Sequence, residues 1–415
     1  MTRISRVELT PVAFADPPLL NVVGVHEPYA LRTIVQVHTD DGLVGLGETY
    51  AADDQLERLK AVADVLLGLD AFDLNGLRRL VRDVLVSGGT KVGGMLSLQD
   101  PADVVLSPYE VALLDIQGKA LGRPVVELLG GAVRERVPFS AYLFYKWAAH
   151  PGAEPDEWGE AVDPDGIVRQ ASKMIGEYGF TAIKLKGGVF APSDEVAAVR
   201  ALADAFPDHK LRIDPNCAWT VDTSVQVARD LEGIIEYLED PTPTIDGMAE
   251  VARRTEIPLA TNMCVIAFDH LKPAVLADAV QVVLSDHHYW GGLRRSQLLA
   301  GICDTFGLGL SMHSNSHLGI SLAAMTHLAA ATPNLTYACD THYPWKTEDV
   351  IKPGVLSFTD GSVRVPRGPG LGVELDEDAL GTLHQQYVEC GIRKRDDTTY
   401  MRTVVPGFNP NTARW

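Results

Sequence analysis

The hydrophobic rhythm of the chain changes near residue 138. Before it, two β-rich runs in "TIVQVHTDDGLVGLGETY" (Thr33–Tyr50) flank Asp40-Asp41-Gly42, which predicts an antiparallel hairpin. Apolar residues then recur every three or four positions, as at Leu56, Leu59, Val62 and Leu66, predicting helices near 55–68, 73–86 and 108–120. Beyond 138, short apolar runs alternate with helical stretches. "IVRQASKMIGEY" gives way to "TAIKLK", "SDEVAAVRALADAF" to "KLRIDPN" and "VDTSVQVARDLEG" to "IIEYLEDP", and "PLATN", "VQVVLSD" and "LGLSMHS" follow. Such strand–helix repetition builds a parallel sheet.

Each apolar run closes on a polar residue: Lys186, Asp214, Glu239, Asn262, Asp286 and His313, in steps of 23 to 28 residues, one βα unit each. Polar residues gathered at strand C-termini point to a closed (β/α) barrel of the TIM type with its site at that mouth. A doubly wound open sheet is the alternative; its ligand crevice would be confined to one switch point. The expected organisation is an α+β capping domain over 1–130, a barrel over 131–365 and a C-terminal segment over 366–415 that packs back on the cap. The last piece, "RKRDDTTYMRTVVPGFNP", is too polar to extend a barrel strand. The segment Ser87–Pro101, "SGGTKVGGMLSLQDP", is glycine-rich and expected to be mobile.

Composition narrows the function classes. With 415 residues, 46% of them hydrophobic, the chain can bury a large core. A net charge of −19 opposes binding to nucleic acid or anionic membranes, so an anionic substrate must be drawn in by a local positive site. The opening "MTRISRVELTPV" lacks the apolar core of a signal peptide and no run of about 18 apolar residues occurs, so a cytoplasmic location is expected. Five cysteines, scattered singly without CxxC spacing, argue for reduced thiols and against a disulfide framework or zinc cluster.

Within "IKLKGG", Lys184 and Lys186 share one strand face, and two adjacent ammonium groups in a buried strand require an anion between them. Paired structural salt bridges would satisfy that requirement. A Schiff-base lysine, or a general base partly desolvated beside another cation, are the chemical readings. Asp214, Glu239 and Asn262 end three successive strands with hard oxygen donors, which suit Mg²⁺ or Mn²⁺ better than zinc, although "DPN" and "TN" are also good turn sequences. Asp286 and His313 follow on the far side; a carboxylate from the preceding strand fixes the imidazole tautomer, as an acid/base requires. His287, His288 and His317 are nearby competitors, the first two expected in a loop. A central divalent cation flanked by a lysine and a His–Asp pair is built to remove a proton from carbon next to a carboxylate. That carboxylate is also an anion for the lysines.

The order KxK, DPN, EDP, TN, SD, HS resembles the enolase superfamily, and within it the acid-sugar dehydratases of the glucarate dehydratase subgroup. The likeness covers most of the chain, including "LLNVVGVHEPYALRTIV", "SAYLFYK", "SMHSNSH", "DTHYPW", "GPGLGVELD" and "RDD". Asn262, where many superfamily members place a carboxylate, is similar to the glucarate dehydratases. The resemblance implies magnesium held by Asp214, Glu239 and Asn262, with Asn216 beside it. It makes Lys186 one acid/base, with Lys184 contacting the substrate carboxylate and tuning Lys186. It makes His313, oriented by Asp286, the other, which also protonates the departing β-hydroxyl. His26, Tyr142, Phe144, His342 and Arg395 match positions that contact the diacid in the family.

The implied reaction is loss of water from D-glucarate or L-idarate, giving 5-keto-4-deoxyglucarate. Further copies of the chain are expected as partners. One departure is the segment "EDPTPTIDGMAE", in which the second glutamate that the subgroup assigns to the metal is missing from the matching place, so the middle metal ligand is either Glu239 or Asp240. A racemase or epimerase, a dehydratase of another sugar acid such as galactarate, and a non-catalytic metabolite-binding paralogue are the competing readings.

Overall fold

A computed structural model of the chain describes residues 2–86, 100–410 and 413–415. The glycine-rich stretch Ser87–Pro101 therefore lies outside the described residues, except for Asp100 and Pro101. The cap is an antiparallel sheet of β1 (Ile4–Ala15), β2 (Tyr29–Thr39) and β3 (Val44–Tyr50), with β2 in the middle. The hairpin turns on Gly42, whose φ of 87° suits glycine. Helices α1 (Asp53–Leu66), α2 (Leu74–Val86) and α3 (Pro101–Leu121) follow, and α1 buries Leu56, Leu59, Val62 and Leu66 as its periodicity implies. Helix α3 begins seven residues before the expected 108, since 108 − 101 = 7. Pro108 looks like a helix start but sits inside; the true start is Asp100, whose carboxylate accepts the Ala102 N–H at 2.9 Å, followed by Pro101 at the first helical position.

The second layer is a parallel sheet of seven strands in consecutive order: β4 (Ser140–Phe144), β5 (Ala182–Lys186), β6 (Lys210–Asp214), β7 (Ile235–Glu239), β8 (Leu259–Thr261), β9 (Val282–Ser285) and β10 (Gly309–Met312). No strand order reverses, so the sheet has no switch point and the open doubly wound alternative falls. Residues 336–340 lie between the two edge strands. On one side, the Thr336 and Asp340 N–H groups donate to Leu310 O (2.9 Å) and Met312 O (2.8 Å). On the other, Cys339 N–H donates to Pro138 O (2.9 Å) and Ser140 N–H to Cys339 O (2.8 Å). This segment joins the edges of the curled sheet and so curls it into a barrel.

Helices between the strands start on side-chain caps, such as Asp163 accepting Gly166 N–H (2.7 Å), and end at left-handed glycines such as Gly179 (φ 73°). The polar tail forms the helices α4 (Glu377–Cys390) and α5 (Asp397–Val404). From α4, His384 bonds Pro11 O (2.7 Å) and Gln386 donates to Ala13 O (3.0 Å), which fastens the tail to β1 of the cap.

Candidate active site

Strand β5 sends Lys184 and Lys186 inward to a shared set of carboxylates. Lys184 Nζ donates to Glu239 Oε1 (2.6 Å) and to Asp340 Oδ2 (2.7 Å), with Asp214 Oδ2 at 3.6 Å and the Tyr142 ring centroid at 4.6 Å. Burial alone would push its pKa down, but Asp340 and Glu239 hold it well above the usual lysine range. Lys186 Nζ donates to Asp214 Oδ2 (2.6 Å) and Asn216 Oδ1 (3.1 Å). The two ammonium groups therefore have protein counter-ions.

Lys184, expected to contact the substrate carboxylate, lies behind the cavity lining. Its side chain is fully buried and committed to Glu239 and Asp340, whereas Lys186 lies on the wall of the adjoining cavity. Asp340, the head of "DTHYPW", escaped the sequence reading; it lies 156 residues from Lys184, and only barrel closure brings the two together.

Two buried oxygens near these lysines find no hydrogen-bond partner among the described residues: Glu239 Oε2 and Asn262 Oδ1. Unpartnered buried acceptors on adjacent strand ends, next to the Asp214 carboxylate, are what a hard divalent cation requires. Burial first, then the neighbouring Asp214 and Asp340, push the Glu239 carboxyl well above its usual range against the pull of Lys184, and a bound cation would relieve that.

Asp240 is arranged differently. Its oxygens accept the Thr261 hydroxyl (2.6 Å) and the Asn262 N–H (2.8 Å), and its backbone has a φ of 37°. Burial, followed by Asp214, pushes it up to about 7. The residues present thus fit a cation through Asp214, Glu239 and Asn262, with Asp240 holding the loop that carries Asn262.

Asp286, one residue past the end of β9, accepts His313 Nδ1–H on Oδ2 (3.0 Å) and His288 Nδ1–H on Oδ1 (2.8 Å). Burial opposes ionisation of Asp286, yet His288 and His313 hold it well below the usual carboxylate range. His287 and His288 do leave the strand in a turn, but both are buried, their rings 4.0 Å apart. Asp286, His287 and His288 lie close enough to share a metal. Both Asp286 oxygens already accept imidazole N–H groups, and a guanidinium faces His288, so a cation is disfavoured there.

Lys186, Asn216, Asn262 and His313 line a cavity of about 850 Å³ between cap and barrel, together with Tyr142, Phe144, His26, His342 and Arg395. The aromatic wall is tight: Tyr142 and Phe144 centroids lie 4.7 Å apart, and His342 lies 4.7 Å from Tyr142. Burial holds the His342 pKa well below the usual histidine range, so it faces the cavity as a neutral ring bonded through Nδ1 to Ser314 (3.1 Å). Arg395 grips Asp397 through Nε (2.7 Å) and Nη2 (2.9 Å) and Asp16 through Nη1 (2.9 Å), and His26 Nδ1 meets the same Asp16 at 3.1 Å. The cavity also meets Tyr50, Tyr289 and Asn315, which the sequence reading did not single out. Their polar tips interlock, with Tyr50 OH donating to Tyr289 OH at 2.9 Å.

A cap over a curled parallel sheet, with lysine, carboxylate and histidine side chains gathered at the strand C-termini, defines a class of enzyme. The chain belongs to the enolase superfamily: residues 7–130 match the mandelate racemase / muconate lactonizing enzyme N-terminal domain, and residues 166–379 match the enolase C-terminal domain-like family. It is 54% identical, over 100% of both chains, to a probable glucarate dehydratase of Streptomyces coelicolor. It superposes at a TM-score of 0.97 and 68% identity on an enolase of Mycobacterium smegmatis complexed with tartrate, covering 100% of this chain and 99% of that one. An enolase of Pseudomonas fluorescens with bound magnesium, potassium and tartrate matches at a TM-score of 0.96 and 52% identity, again covering 100% and 99%. Among the described residues no helix is long and apolar enough to cross a membrane.

Proposed function

We propose that this enzyme dehydrates an acid sugar, most simply D-glucarate or L-idarate, to 5-keto-4-deoxyglucarate. The observation that carries the reading is one cavity bounded by Lys186, His313 and Asn262, with a buried Glu239 oxygen on the adjacent strand end that has no partner among the described residues. Lys186 and His313 belong to strands separated by four others, β6 to β9, so they approach a ligand at the mouth from different sides. Lys186 Nζ, once it has given up one proton and stands as the neutral amine, takes the α-proton of one epimer and returns to the ammonium form that pairs with Asp214. His313, with Nδ1–H held by Asp286, works through Nε2. It takes the α-proton of the other epimer or gives a proton to the departing β-hydroxyl, which leaves as water. The resulting enol tautomerises to the keto acid.

Asp214, Glu239 and Asn262 would hold a divalent cation, in keeping with the magnesium of the Pseudomonas fluorescens structure. When bound, it would offset the second negative charge the substrate carboxylate gains as the α-proton leaves. Tyr142, Phe144 and His342 exclude water from one flank. Arg395 and His26, tied together through Asp16, offer polar contacts at the mouth. The 54% identity to a probable glucarate dehydratase supports the choice of substrate.

The test is a panel of diacid and monoacid sugars with purified protein and Mg²⁺, read as the semicarbazone of the α-keto product. Turnover of glucarate is expected. No turnover of any diacid sugar by folded protein would overturn the reading.

A further inference from the structure

Behind Asp286 runs a line of buried polar groups that the proposed chemistry does not use and that begins in the cap. Arg32 on β2 and Glu48 on β3 form a pair with Nε–Oε1 at 2.9 Å, both side chains no more than 1% exposed. Glu48 also accepts the N–H groups of Leu318 and Ser321, each at 2.8 Å, and so sits at the start of the barrel helix Gly319–Ala330. The Arg32 guanidinium lies 4.6 Å from the Tyr50 ring centroid, and its Nη2 reaches across to His288 Nε2 at 2.8 Å.

That last contact determines a tautomer. An arginine N–H can only donate, so His288 Nε2 must be the bare nitrogen and its proton must be on Nδ1. The Ser321 hydroxyl, 2.9 Å from the same Nε2, is compatible with this. His288 Nδ1–H then points at Asp286 Oδ1, which also accepts the His288 backbone N–H at 2.9 Å. With Oδ1 held from two directions, the carboxylate cannot rotate, and Oδ2 faces His313 Nδ1.

We infer that Arg32 and His288 are positioning residues: the cap, through Arg32, sets the His288 tautomer, and His288 holds Asp286 in the orientation that aims His313 into the cavity. Neither residue lines the cavity itself; Arg32 packs behind Tyr50, which does. The inference rests on the proposed acid/base role of His313, but its first consequence can be read without any turnover.

In the full-length protein, a long-range ¹H–¹⁵N imidazole spectrum, with His288 assigned by the signals lost in His288→Asn, should show a protonated Nδ1 and a bare Nε2. A proton on Nε2 would overturn the inference. The second reading is solvent-deuterium exchange at the α-carbon of each epimer. His288→Leu removes the donor to Oδ1 and should slow His313-side exchange by about 10- to 100-fold, the effect of one hydrogen bond to a charged group, with Lys186-side exchange within about twofold of normal. His288→Asn places an amide N–H at the same δ position and should recover most of the loss. Equal slowing on both sides, or no recovery in His288→Asn, would mean a merely structural residue. A His313→Asn protein that keeps both exchanges would remove the proposed function itself, and this inference with it. A wrong tautomer beside one-sided loss in His313→Asn would overturn this inference alone.

Discussion

At the residue scale, two neighbouring carboxylates, Glu239 and Asp240, have opposite environments. Glu239 keeps one oxygen without a partner among the described residues, whereas both Asp240 oxygens are bonded to the loop that carries Asn262. Glu239→Gln should therefore weaken Mg²⁺ binding at least 10- to 100-fold, while Asp240→Asn should lower stability and leave affinity within a few-fold. Calorimetric titration with Mg²⁺ checks this, and the reverse pattern would assign the ligand to Asp240. The choice was not legible in "EDP", because strand periodicity gives direction only inside the strand and Asp240 follows its end with φ 37°. Lys186, Asp214 and His313 were legible because a polar residue closing an apolar run has few places to go except a strand end. Asp340 and Arg32 were not, and His288 was read only as a loop neighbour of His313. Their partners lie 156 and 256 residues away for the Lys184–Asp340 and Arg32–His288 bonds, a proximity that no local pattern encodes.

At the element scale, the turn after β5 decides where Lys186 points. Gly188 has φ 75°, and a Cβ there would lie 2.2 Å from Pro215 O; a Cβ on Gly187 would lie 2.6 Å from Glu195 Oε2. Glu195 in turn accepts the N–H groups of Gly188 (3.0 Å), Val189 (2.8 Å) and Phe190 (3.1 Å). Gly188 is thus required by its close approach to backbone, while a side chain at Gly187 would displace the Glu195 carboxylate from these N–H groups. Gly188→Ala should destabilise the fold by about 2 kcal/mol or more and slow Lys186-side exchange, because the β5 and β6 turns can no longer nest. Urea unfolding at constant pH measures the first effect; an unchanged midpoint would contradict the account. Six of the seven barrel strands, β5 to β10, were readable one by one from short apolar runs, whereas β4 (Ser140–Phe144) was not among them. The closing segment 336–340 was not, since it pairs through isolated bonds and lacks a strand's alternating pattern.

At the scale of the whole molecule, cap and barrel are fastened by buried polar groups as well as by apolar contact. Glu110 of α3 accepts the Leu293 (2.7 Å) and Arg294 (3.0 Å) N–H groups at the start of the barrel helix Leu293–Phe306, and burial pushes its pKa up to about 7. For a carboxyl raised on folding, the stabilisation is complete below the unfolded value and is lost as pH rises through the folded one. This group should therefore cost the protein about 2 kcal/mol between pH ~5 and ~7.5, and Glu110→Gln should flatten that part of the urea-stability profile. An identical profile in the variant would contradict it.

The central claim is that Lys186 and His313 serve opposite faces of one substrate carbon, and isotope exchange in D₂O tests it most directly. Lys186→Met should retain α-proton exchange for one epimer and His313→Asn for the other. Loss of both exchanges in both folded variants would contradict the two-base site.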